Sequence, residues 1–90
     1  MAQEAVGRAR HRIVVRDADD RPLVEAVVAL ARSSVPFPEI ALLTDESGAV
    51  ELRLPPGVFA FRAVGPEDAF GDVEVTSPGP EETVVRLKAR

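Results

Sequence analysis

His11 is the one imidazole in the chain and cysteine is missing altogether, so the side chains that most often do chemistry are nearly absent. Without cysteine there is no disulfide, no thiolate zinc cage and no thiol nucleophile. A zinc site on His11 would be short of nitrogen and sulfur donors, and His11, set among arginines, reads as a solvated edge residue rather than a ligand. A Ser-His-Asp triad fails on the same residue, because His11 sits in a basic lead-in while Ser33, Ser34, Ser47 and Ser77 fall in turns. The sequence therefore predicts no catalytic residue, no metal site, no cofactor and no enzyme.

Carboxylates are the charged groups that remain, and they come in clusters: Asp17, Asp19 and Asp20, then Asp45 and Glu46, then Glu67, Asp68 and Asp72. They are either a solvated surface, balanced in part by Arg21, Lys88 and Arg90, or a site for Ca²⁺ or a basic partner. Calcium needs six to eight oxygens converging within about 2.6 Å, and no run here has the spacing of a known calcium loop. A different signal lies in Val35-Pro36-Phe37-Pro38. Two prolines keep the backbone around Phe37 extended, which lowers the entropy lost if a partner protein grips the ring. The alternative is that Phe37 folds back and plugs the end of the fold. The candidate partner-binding residues are thus Phe37 with Pro36 and Pro38, and Asp19, Asp20, Asp45 and Glu46.

The elements that must position these residues follow from turn chemistry, which recurs about every ten residues. Asp19 to Pro22, Ser33 to Pro38, Asp45 to Gly48, Pro55 to Gly57, Gly65 to Gly71 and Ser77 to Pro80 separate short segments too brief for helices. Inside the segments the period is two: Val50, Leu52 and Leu54 alternate with Glu51 and Arg53, and Phe59, Phe61 and Ala63 alternate with Ala60 and Arg62. Leu23 to Arg32 also suits a helix opened by Pro22, but its three valines and the alternation of Ala26, Val28 and Leu30 favour a strand. Pro55-Pro56-Gly57 fits a type II turn, and Gly48 fits a left-handed position. The expected fold is an all-β antiparallel sandwich of seven strands, immunoglobulin-like in architecture. If each strand reverses the one before, loops one, three and five share a pole, which gathers the acids. Loops two, four and six gather Pro36, Pro38, Pro55, Pro56, Pro78 and Pro80 at the other.

Four stretches in order carry a family resemblance: Asp17 to Leu23, then Ala26, Val28 and Leu30, then Thr44 to Leu52, then Leu54-Pro55-Pro56-Gly57-Val58-Phe59-Ala60-Phe61. Together, from about Ile13 to Leu87, they resemble the carboxypeptidase regulatory-like domain. The resemblance implies a transthyretin-like seven-stranded sandwich that serves as a non-catalytic accessory or interaction module. Asp20 stands where the family usually has Gly, and Asp is among the few residues that enter the left-handed region at small cost. Phe70 follows Ala69 where the family's aromatic follows Gly. Hydroxyisourate hydrolases share the fold but need several His residues and a terminal Tyr-Arg-Gly-Ser, whereas this chain ends Leu87-Lys88-Ala89-Arg90. The Lys–Asn cross-link of adhesin sandwiches has neither an asparagine nor a first-strand lysine here.

Ninety residues suffice for one domain, expected over residues 13–90 behind a basic arm of residues 1–12. The net charge is −4, yet residues 1–16 hold Arg8, Arg10, Arg12 and Arg16 against Glu4, leaving −7 on the rest. The arm is expected to be frayed and solvated, or else a grip for an acidic partner. An acidic body without Trp or Tyr is no nucleic-acid surface. No apolar window of about 18 residues and no leader pattern is visible, so no membrane contact and a cytoplasmic address are expected. The expected function is a non-catalytic β-sandwich accessory module that binds another protein, through loops or an edge strand, in a cytoplasmic assembly. The alternative is a small-ligand carrier resembling transthyretin, with its site between subunits.

Overall fold

Residues that alternate dry and wet make pleated strands with one buried face, and the structure is built from seven of them. A computed structural model describes residues 7–89. Its strands are β1 (Ala9–Arg16), β2 (Val27–Ser33), β3 (Ala41–Leu43), β4 (Ala49–Leu54), β5 (Gly57–Val64), β6 (Phe70–Ser77) and β7 (Glu82–Arg86). They form two sheets, three strands in the order β4-β1-β7 and four in the order β3-β2-β5-β6. The Leu23 to Arg32 stretch does not coil into a helix: Leu23 to Ala26 turn, with Glu25 at φ +62°, and β2 starts at Val27.

The core lies between the sheets. Ile13 and Val15, Val50, Leu52 and Leu54, Val28, and Phe59, Phe61 and Ala63 point inward and are buried, with Val75, Val85 and Leu87 closing the far side. Phe59 and Phe61 are the largest of these, and fully burying such a side chain contributes about 1.5–3 kcal/mol.

Four expectations need correction. The sheets are not wholly antiparallel: β1 and β7 pair in parallel, from Arg12 opposite Glu82 to Arg16 opposite Arg86. Strands that reverse at each step leave the first and seventh pointing the same way, and as neighbours they can only run parallel. The basic arm is shorter than expected, since β1 already begins at Ala9. His11 is accordingly not a solvated edge residue. It shares the inward parity of Ile13 and Val15 and is 1% exposed, with Nδ1 3.2 Å from the Pro80 carbonyl oxygen. A carbonyl can only accept, so the ring proton sits on Nδ1, and Nε2 is buried without a hydrogen-bond partner among the described residues. Finally, Pro55-Pro56 is no hairpin turn. It carries the chain from the smaller sheet to the larger, and Gly57 has φ +153° rather than the value near +80° of a type II turn. A Cβ there would lie 3.1 Å from Ser34 Oγ.

At one pole the loops close on β1. The Val15 N–H donates to Gly48 O (2.7 Å), the Leu23 N–H to Val15 O (3.0 Å), and the Leu87 N–H to Arg16 O (2.8 Å). Gly48 has the expected positive φ, +76°, and any Cβ there would stand 2.8 Å from Pro22 Cβ and 2.9 Å from both Leu23 N and Val15 O. Asp20 likewise takes the left-handed conformation, φ +69°. Gly48→Ala should lower stability by about 2 kcal/mol or more, the left-handed cost of about 1–2 kcal/mol plus the displaced backbone. Urea unfolding of the two proteins checks this, and a loss under about 0.5 kcal/mol would overturn it.

Candidate functional site

The acids of loops one and three build their own turns. Asp17 Oδ1 accepts from the N–H groups of Asp19 (2.8 Å) and Arg21 (2.9 Å). Asp45 Oδ1 accepts from the Ser47 N–H (2.9 Å), the Ser47 hydroxyl (2.7 Å) and the Ala49 N–H (3.1 Å). Asp20 takes Arg86 (2.7 Å) and Arg16 (3.3 Å) rather than Arg21 or Lys88, and Arg90 is outside the described residues. Asp19 and Glu46 are exposed and make no ion pair among the described residues. Among those residues no three His, Asp or Glu side chains converge to hold a metal ion. Glu67 and Asp68 occupy a short 3-10 turn, while Asp72 lies along β6.

These contacts shift titrations in one direction. The Arg86 hydrogen bond, then that of Arg16, holds the Asp20 carboxyl below its ordinary range. The Ser47 hydroxyl, then the Ala49 N–H, does so for Asp45, and Arg62 does so for Asp72. A carboxyl whose pKa is lower folded than unfolded adds stability above its unfolded pKa, about 4, and loses it as pH falls through the folded value. Stability should therefore drop as the pH falls below about 4. Asp45→Asn, which keeps an oxygen acceptor for the turn, should flatten that drop in acid urea titrations, and an unchanged slope would remove Asp45 from it.

Phe37 is half-buried against the core, edge-on to Phe59 with ring centroids 5.3 Å apart, and the Arg8 guanidinium lies 5.7 Å above it. Pro36 and Pro38 are exposed on either side. The ring plugs the end of the sandwich, so Phe37→Ala should cost about 1–3 kcal/mol of stability. An unchanged melting temperature would return Phe37 to the role of a partner's anchor.

The structure assembles instead a surface that single positions did not reveal. Outward residues of the four-stranded sheet stand in cross-strand rows. Leu43 pairs with Val27, Val27 with Val64, and Val64 with Phe70, so four apolar side chains cross the whole sheet near the acidic pole. Leu43 is 63% exposed, Val27 39% and Val64 36%. In the next row Ala41, Ala29, Arg62 and Asp72 are paired in the same way. A bulge in β2 then sets Arg32 opposite Ala60, and Ala60 pairs with Glu74.

The face carries shallow hollows. One of about 340 Å³ is lined by Arg62, Val64, Asp68 and Phe70, and one of about 330 Å³ lies around Ala31, Ala60 and Asp72. Arg62 is held in place there. It donates to both oxygens of Asp72 (2.8 and 3.0 Å) and its guanidinium lies 5.1 Å over the Phe70 ring. Asp72 in turn raises the pKa of Arg62. What the face offers is apolar area to bury. The other sheet turns out mostly charged residues, Val84 being the exposed exception, with Arg12 bridging Glu51 (3.3 Å) and Glu82 (3.6 Å). The sequence signal for the apolar face was in β5, where the outward positions Val58, Ala60 and Val64 are apolar too. No protein-family model matches the chain, and no curated protein matches it.

Proposed function

We propose that the chain is a non-catalytic protein-binding module that docks a polypeptide on the outer face of its four-stranded sheet. The row Leu43, Val27, Val64 and Phe70 carries this reading. An antiparallel sheet with one face in water ordinarily turns polar side chains outward, and a contiguous exposed apolar patch marks a contact surface. The resemblance to carboxypeptidase regulatory-like domains supports the same role, and with it a transthyretin-like variant of the sandwich and an accessory place in a cytoplasmic assembly. The hollows open to solvent, so a small-ligand carrier would need a second surface to close them, which makes protein docking the simpler use of the face.

A photo-crosslinking side chain at Val64, compared with one at Arg53 on the charged sheet, tests the reading in intact cells. Polypeptide adducts are expected from position 64 and not from position 53. Equal yields, or none from either, would refute it.

A further inference from the structure

We infer that the occupant of this face is a second copy of the chain, packed face to face about a two-fold axis parallel to the strands. The inference rests on the docking face proposed above and names what fills it.

In an isologous contact each element meets its counterpart across the axis. An axis midway between β2 and β5 lays β5 of one copy over β2 of the other, and β6 over β3, at equal heights along the sheet. The apolar row then meets itself, with Phe70 over the second copy's Leu43 and Val64 over its Val27. One row down, the Arg62–Asp72 pair lies over Ala29 and Ala41, whose short side chains leave room for it. The usual angle of about 30° between stacked sheets keeps rows near the axis in register.

Charge supports this occupant over others. Arg32 and Glu74 face outward around one hollow of about 160 Å³, and neither has an ion-pair partner among the described residues. The two-fold brings Arg32 of each copy over Ala60 of the other, beside that copy's Glu74, and so makes two pairs from four unpaired charges. The match is confined to these two pairs, because Arg62 on β5 already has its charge taken by Asp72 on β6 of its own copy. Strands of three, seven, eight and eight residues, about 4.8 Å apart, cover roughly 400 Å² in projection. Side chains raise the accessible area above that, toward the roughly 800 Å² per partner of a standard interface.

Sedimentation equilibrium of the full chain tests the inference. The mass should rise with concentration from 9.6 kDa to twice that value. Val64→Glu should weaken association about tenfold or more, because it leaves a charge in the apolar row. Arg32→Glu and Glu74→Arg should each weaken it several-fold, and the doubly swapped chain should recover it, since opposite charges face each other again. All three positions are exposed, and circular dichroism checks that the variants fold. A chain that stays monomeric up to about 1 mM, or a dimer indifferent to these substitutions, would overturn the inference. A monomer whose position 64 crosslinks to a different protein would keep the docking face and remove only the second copy as its occupant.

Discussion

Two residues of the first strand, Val15 and Arg16, hold three distant stretches of chain through main-chain hydrogen bonds. Buried amides and carbonyls must find partners, and here each partner comes from a different loop or from the segment after β7. The strand that offers them is the middle of the smaller sheet, and even its outward Val14 is only 5% exposed. Because Leu23 is tied to Val15, the entry into β2 is set. Thr44 strengthens the tie, accepting from the Ala26 N–H and donating to the Leu23 carbonyl. The rows across the larger sheet depend on where β2 begins, so the candidate surface is positioned from the opposite layer.

The outer faces of the two layers are different solvents' surfaces. On the smaller sheet, Arg12 links its neighbours through Glu51 and Glu82, an arrangement that keeps water close and contributes little stability, since exposed ion pairs are worth about 0–1 kcal/mol. On the larger sheet, apolar atoms stand in water without return, and covering them recovers about 25 cal/mol for each Å² removed. Arg62 does not spoil that face. Its charge is taken by Asp72 and its stem and plane lie along Phe70.

Much of the fold could be read from residues in a row. Val50, Leu52 and Leu54 alternate locally, Gly48 sits in a turn that demands a positive φ, and Asp20 can adopt one in place of glycine. The arginines beside His11 suggest solvent, yet its parity with Ile13 and Val15 decides its burial. The parallel β1–β7 pair was implied by strand direction but needed knowledge of which strands touch. The apolar row is the hardest case. Leu43, Val27, Val64 and Phe70 lie far apart along the chain, and only the register of three strand pairs puts them side by side.

The parallel pairing of the first and last strands has a mechanical side. β1 is entered at one pole and β7 is left at the other, so tension on the flanking chain pulls these adjacent strands past each other along their length. Their rungs from Arg12–Glu82 to Arg16–Arg86 are then loaded in shear, all at once, rather than peeled open one by one.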